Sequence, residues 1–144
     1  MKTSRLFIGI IIGISLALSS CASTPDPEIT DSTTPREIIQ YAQTSYDKGK
    51  TQKALEYYDI LIKRFGTNTA LYVEAKYEIG HIQMKEKYYS KARVNLQEVV
   101  DIYSGARNGS IPGAFYILAK NDLEKCEGKK DAPRLTFWDK LIGR

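Results

Sequence analysis

One spacing of small residues occurs twice in this chain, and the two copies lie 38 residues apart. Ala42 is followed after eleven residues by Ala54, and Gly80 is followed after eleven residues by Ala92. In each copy the small residue allows a second helix to approach closely, and the later alanine lies at the crossing. Repeats of about this length are typical of helical solenoids, in which each unit buries its apolar face against its neighbours.

Helix signals along residues 35–128 agree with this interpretation. Thr34 is a helix cap, Pro35 suits the first helical position, and Glu37 completes a capping box. Apolar residues then recur at helical spacing in five segments, and no strand pattern competes with them. The predicted breaks include Lys48-Gly49, Gly66, residues 104–109 and a last one before Gly128. The chain is therefore predicted to be all-α, with five helices.

The helix pairs resemble the tetratricopeptide repeat. Its small residue matches Ala42 and Gly80, and its second-helix alanine matches Ala54 and Ala92. Its turn glycine matches Gly49, its turn aromatic matches Tyr89, and its later large residue matches Tyr58 and Leu96. Leu118-Ala119 echoes Ile79-Gly80, so the fifth helix resembles the first half of a third repeat. The resemblance implies a solenoid of about two and a half repeats, followed by a short C-terminal amphipathic segment.

The long period is similar to one branch of that superfamily. Together with Tyr41-Ala42-Gln43, Asp47-Lys48-Gly49-Lys50 and residues 61–65, it resembles the first repeats of the BamD (YfiO) family. Members of that family are outer-membrane lipoproteins of the β-barrel assembly machine, and cell-division coordinators of the CpoB type have related repeats. The resemblance covers residues 35–104 and implies a protein that binds other proteins.

The first 21 residues have the layout of a secretory signal. Lys2 and Arg5 precede an apolar run of 13 residues, whereas a membrane-spanning helix needs about 20. Leu18-Ser19-Ser20-Cys21 resembles the lipobox of bacterial lipoproteins, which implies a signal peptide over residues 1–20 and a lipid on Cys21. A plain signal peptide is the alternative. Ala22 agrees with the outer-membrane sorting preference of many lipoproteins.

Residues 22–33 contain two prolines, no aromatic residue and one large apolar side chain, Ile29. A segment of this composition buries too little surface to order itself. Residues 21–34 are therefore predicted to be the lipidated cysteine and a flexible tether.

Composition argues against several classes of function. The chain has 21 basic and 17 acidic residues, and two of the basic residues lie in the signal, so the mature protein is close to neutral and nucleic acid is not a predicted partner. Cys126 is predicted to be a packed thiol, with an intermolecular disulfide as the alternative. With His81 as the single histidine and no nucleophile or phosphate motif, we predict no enzyme, no metal and no cofactor.

The resemblance implies a concave groove lined by the first helix of each repeat. Counted from the small residues, the groove positions are Ile39, Gln43, Tyr46 and Asp47, then Tyr77, His81, Met84 and Lys85, and finally Tyr116, Lys120, Leu123 and Glu124. Tyr77 and Tyr116 fall at equivalent positions beside His81 and Lys120, an arrangement that suits an extended peptide or a partner helix. The alternative is that these tyrosines only cover helix crossings.

The C-terminal tail, residues 129–144, is dense in large apolar side chains, and Leu135, Trp138 and Ile142 share a helical face. It has three possible roles, which are to fold back onto the last helix, to enter the membrane interface, or to dock on a partner.

The sequence thus predicts a lipid-anchored adaptor on the periplasmic side of the outer membrane, binding a subunit of the β-barrel assembly machine. One alternative is a coordinator of envelope division or peptidoglycan synthesis. Another is a surface lipoprotein that binds a host or small-molecule ligand.

Overall fold

The computed structural model describes residues 25–106, 111 and 113–132. Five helices occupy most of this part of the chain, with no strand, and their bounds are α1 Pro35–Asp47, α2 Thr51–Phe65, α3 Thr69–Lys85, α4 Tyr89–Gly105 and α5 Ala114–Cys126. The predicted all-α class is confirmed, as are the five helices. No helix in the described residues has the length and apolar character that crossing a bilayer requires. Cys21 and residues 133–144 lie outside the described residues.

Helix α1 begins at the capping box that the sequence predicts. The Thr34 N–H donates to the Glu37 carboxylate at 2.7 Å, and the Glu37 N–H donates to the Thr34 hydroxyl at 3.4 Å, with Pro35 in the first turn. These bonds satisfy backbone donors that the first turn of a helix otherwise leaves unpaired.

Three helices end in the same way, with a residue of positive φ directly after the C-cap. Gly49 follows α1 at φ +73° and Gly128 follows α5 at φ +65°. Lys87 occupies the corresponding place after α3, at φ 63° and 38 residues beyond Gly49. The left-handed conformation closes each helix and turns the chain back sharply.

The helices pack in chain order into two cores that share α3. The first core joins α1 and α2 to one side of α3, through Ala75, Ile79 and Ile82. The second joins α4 and α5 to its other side, through Val73, Tyr77 and Met84. Because α3 buries side chains in both directions, it is the common wall of two stacked repeats, as a helical solenoid requires.

The small residues of the repeat lie at the helix crossings. Ala42, Ala54 and Ala92 are fully buried. A Cβ atom on Gly80 would lie 2.8 Å from Cγ of Leu96 in α4. Only glycine therefore permits the observed approach of α3 and α4.

The predicted flexible tether is wrong for residues 25–34, which run along α2 and are called the strap below. The Tyr57 hydroxyl donates to the Pro27 carbonyl at 2.7 Å, and Lys50 pairs with Asp26 at 2.5 Å. At the other end of α2, the Arg64 guanidinium donates to the Thr30 and Asp31 carbonyls, each at 2.9 Å. Ile29 packs against the first core.

After α5 the chain returns to the start of α4. The Asp131 carboxylate accepts hydrogen bonds from the N–H and hydroxyl of Ser90, and the Ala132 N–H donates to the Lys87 carbonyl at 3.0 Å. Asp131 thereby caps the N-terminus of α4, which has no side-chain cap of its own.

Candidate functional site

The first helices of the two complete repeats enclose a cleft of about 790 Å³. Its walls come from the first nine residues of α1, the N-terminal half of α3 and the residues just before each helix: Thr34, Pro35, Arg36, Ile39, Gln40, Gln43, Asn68, Ala70, Leu71 and Glu74. The cap residues Thr34 and Asn68 fix the starts of both helices, since each side chain accepts hydrogen bonds from backbone N–H groups of the first turn. The cleft is therefore bounded by rigid elements.

The cleft combines apolar walls with groups that can fix an orientation. Ile39 and Leu71 supply half-buried aliphatic surface, and Gln43 supplies an exposed amide. Burial raises the pKa of Glu74, and the nearby Arg36 guanidinium opposes this rise. A helix or an extended peptide binds to such a surface through a few apolar anchors and a small number of polar contacts.

A second carboxylate lies one turn further along α3. Burial raises the pKa of Glu78, with His81 acting in the opposite sense and Glu74 adding to the rise. Among the described residues, neither Glu74 nor Glu78 has an ion-pair partner within 4.0 Å. Burial also raises the pKa of the Tyr58 hydroxyl, which has Glu78 and Glu74 nearby. The two half-buried carboxyl groups of α3 are thus only partly compensated by Arg36 and His81.

A buried polar cluster joins α3 to α5. Asp122 is 2% exposed and accepts a hydrogen bond from His81 Nδ1 at 2.5 Å and from Lys125 Nζ at 2.8 Å. The Tyr77 hydroxyl donates to the same carboxylate at 3.5 Å. Burial raises the pKa of Asp122, but the hydrogen bonds from His81 and Lys125 outweigh burial and leave it below its ordinary value. The cluster therefore ties α5 to α3.

The predicted continuous face of Tyr77, His81, Tyr116 and Lys120 is wrong. Tyr77 is 7% exposed, and its ring packs on Phe115 with centroids 5.5 Å apart. Tyr116 instead packs on Tyr103 of α4 at 5.5 Å, with Lys120 above its ring. The physical reason is the rotation of α5, which turns Phe115 and Asp122 towards α3 and leaves Tyr116 against α4.

Of the other predicted groove residues, two line the cleft and the rest lie elsewhere. Gln43 lines the cleft together with Ile39, as predicted. Met84 belongs to the second core, and Leu123 packs against it from a crevice between α4 and α5, so both are corrections. Tyr46 is half-buried against the first core, whereas the remaining three are exposed: Asp47, Lys85 and Glu124.

Sequence reasoning missed the two oppositely charged side chains of the cleft, Arg36 and Glu74. Arg36 lies six residues before the small residue Ala42, and Glu74 lies six residues before Gly80. Opposite charges at equivalent positions of two repeats are a signal that the sequence contains, because equivalent positions of successive repeats lie side by side on one surface of a solenoid.

The described residues include no group of three or more His, Cys, Asp or Glu side chains that could hold a metal ion. Cys126 is a buried free thiol, which agrees with its prediction as a packed residue, and burial raises its pKa. A buried thiol of raised pKa is a weak nucleophile.

Comparison with known proteins finds one informative relative. The chain is 33% identical over 109 residues to an uncharacterized protein of Treponema pallidum (strain Nichols). The matched region is 75% of this chain but 44% of the relative, so the chain spans less than half the length of the protein it matches. No protein-family model matches the chain, and no solved structure matches it significantly.

Proposed function

We propose that this protein is a non-enzymatic, lipid-anchored adaptor that binds a protein partner through the cleft between α1 and α3. The observation that carries the proposal is the cleft itself, because two successive repeats present apolar walls and oppositely charged side chains, Arg36 and Glu74, to one space. A binding surface on rigid helices costs little conformational entropy when a partner docks.

The lipid anchor is proposed at Cys21. Its support is the sequence, in which a charged start, a short apolar run and Leu-Ser-Ser-Cys follow one another. Several acyl chains on one cysteine anchor a protein stably, whereas a single chain binds a membrane only marginally.

The proposed partner is a subunit of the outer-membrane β-barrel assembly machine, with the adaptor on the periplasmic side of that membrane. The support for this choice is the resemblance of residues 35–104 to the first BamD repeats, together with Ala22 after the lipobox cysteine. The related repeats of CpoB-type coordinators make a division or cell-wall component the competing partner.

Affinity capture from detergent-solubilised membranes tests the proposal. The wild-type protein should capture the barrel-assembly subunit, and the cleft variant Arg36→Ala/Leu71→Ala should lose it, because the variant lacks an arginine, a residue type enriched among interface hot spots, and one apolar wall of the cleft. The matched control, Lys63→Ala/Val94→Ala, removes one cation and one aliphatic side chain from exposed positions outside the cleft.

Circular dichroism must show that both double variants remain folded. Capture of a Tol–Pal or cell-wall component in place of the barrel-assembly subunit would favour the division coordinator. Undiminished capture by a folded cleft variant would place the binding surface elsewhere on the molecule.

A further inference from the structure

The start of the strap and the segment after α5 both contact the helix turns at the same end of the helices. This end, here called the three-turn end, consists of residues 48–51, 86–90 and 127–132. Lys50 in the first turn holds Asp26 of the strap, and Thr51 donates to the Glu86 carboxylate of the second turn at 3.2 Å. The Ala132 N–H then donates to the Lys87 carbonyl. One run of polar contacts therefore links the strap, both helix turns and the last described residue.

The three-turn end is rich in lysine. Residues 48–50, 86–88 and 127–131 contain five lysines and three carboxylates, which is a net charge of +2. Lys48, Lys87 and Lys130 are exposed, and none has an ion pair within the described part of the chain. The carboxylates of Glu86 and Asp131, in contrast, accept hydrogen bonds from neighbouring turns.

The strap brings the proposed lipid to this end. Cys21 precedes Pro25 by four residues, and four residues of chain reach at most about 14 Å. Because Asp26 is fixed to Lys50 at the start of α2, a lipid on Cys21 would be attached to the chain close to the three-turn end. Tyr88, which is 44% exposed, adds an aromatic side chain of the kind that favours the headgroup region of a bilayer.

We infer that the three-turn end docks on the surface of an anionic lipid bilayer, with the helices pointing away from the membrane. This inference rests on the lipid anchor of the proposed function. Exposed lysines are attracted to anionic headgroups, and the attraction weakens as salt screens it. The cleft lies near the opposite end, among the first residues of α1 and α3, so this orientation presents it to partners away from the bilayer.

Headgroup quenching of a site-specific fluorophore tests the orientation in the full lipidated protein, reconstituted into vesicles that contain phosphatidylglycerol. One fluorophore is attached at Gln52→Cys near the three-turn end, and the other at Thr67→Cys beyond the far end of α2. Both residues are exposed and polar, and they are separated by about 22 Å along the helix axis. Cys126 is buried and does not compete for the label.

We expect strong quenching at residue 52 and weak quenching at residue 67. The double change Lys48→Glu/Lys130→Glu, or replacement of phosphatidylglycerol by phosphatidylcholine, should abolish most of this difference. The matched change Lys63→Glu/Lys120→Glu reverses two exposed charges away from the three-turn end and should leave the difference intact.

Flotation of the vesicles separates the two proposals. Wild-type protein that floats with the vesicles but shows equal quenching at both sites would overturn the docking surface and leave the anchor standing. A difference that persists unchanged in phosphatidylcholine would overturn the role of the lysines. Wild-type protein that fails to float would overturn the anchor and the docking surface together.

Discussion

At the scale of single residues, Lys87 is the one residue other than glycine with positive φ in the described part of the chain. The left-handed conformation costs an L-residue about 1–2 kcal/mol, whereas glycine adopts it freely. We therefore predict that Lys87→Gly raises the free energy of unfolding by about 0.5–1 kcal/mol, after the greater freedom of glycine in the unfolded chain is included.

Urea denaturation measures this change, and a matched substitution gives the opposite sign. Lys63→Gly alters an exposed residue within α2 and should lower the free energy of unfolding by up to about 1 kcal/mol. A loss of stability in Lys87→Gly would show that the lysine side chain, rather than its backbone, determines the stability of this turn.

Gly80 gives a second prediction at this scale. Gly80→Leu should lower the free energy of unfolding by about 2–3 kcal/mol, because even its Cβ would lie 2.9 Å or less from two side-chain atoms of Leu96. Gly105→Leu is the control, since nothing lies within 4 Å of a Cβ at the end of α4, and the expected change is under about 0.5 kcal/mol. Equal melting temperatures of the two variants would contradict the close approach of α3 and α4.

At the scale of elements, the five helices were predictable because each carries its own signal. Capping residues, the helical spacing of apolar residues and glycines at helix ends are local signals, so they can be identified in a single sequence. The strap was not predictable for the opposite reason. Three main-chain carbonyls, those of Pro27, Thr30 and Asp31, accept the hydrogen bonds that fix it, and a carbonyl acceptor leaves no mark on side-chain identity.

Removal of the hydroxyl oxygen of Tyr57 tests the contact between this residue and the strap. Tyr57→Phe removes the hydrogen bond to the Pro27 carbonyl and should lower the free energy of unfolding by about 1 kcal/mol. It should also speed amide hydrogen exchange in the strap. Tyr88→Phe, at a ring that is 44% exposed, should have neither effect. Unchanged exchange in Tyr57→Phe would mean that Arg64 and Ile29 hold the strap without the tyrosine.

The rotation of α5 could not be predicted from the sequence, because a degenerate repeat pattern does not determine which neighbouring helix each side chain packs against. Tyr116 fits the repeat position that the pattern assigns to the groove, yet packing is decided by Phe115 and by the polar cluster around Asp122. The sequence signal for this rotation was Asp122, a charged residue at the helical spacing of the buried positions Ala119 and Cys126. A buried carboxylate needs hydrogen-bond partners, which a facing helix can supply.

The Asp122 cluster predicts a pH dependence. The pKa of the Asp122 carboxyl is lowered in the folded protein, so the unfolded chain binds the proton more readily. The stabilisation from this carboxylate is therefore present above about pH 4 and is lost as the pH falls further. Asp122→Asn should lower the free energy of unfolding by about 2 kcal/mol near pH 7. The difference in the free energy of unfolding between Asp122→Asn and the wild type should become smaller in acid. The exposed Asp59→Asn is the control, and a gap independent of pH would contradict the assignment.

At the scale of the whole molecule, the shared helix α3 determines cooperativity. Because α3 contributes to both cores, unfolding of either repeat removes packing from a helix that the other repeat also needs. We predict that Leu61→Ala in the first core lowers the free energy of unfolding by about 2–4 kcal/mol, since Leu61 is fully buried.

This loss should appear equally in the most protected amides of α2 and of α4, as measured by native-state hydrogen exchange. The reciprocal variant Val99→Ala, at a fully buried position in the second core, should also shift both helices together. Protection that falls in α2 alone after Leu61→Ala would show that the two repeats unfold independently.

The strap also makes the response of the domain to a pull on its N-terminal side depend on direction. Its contacts are spread along the whole of α2, from Lys50 through Tyr57 to Arg64. A pull on residue 25 along the axis of α2 loads these contacts in shear, so they share the force. A pull across that axis peels them away one at a time, beginning with the ion pair of Asp26. The same few bonds therefore resist tension along the axis of α2 far better than tension across it.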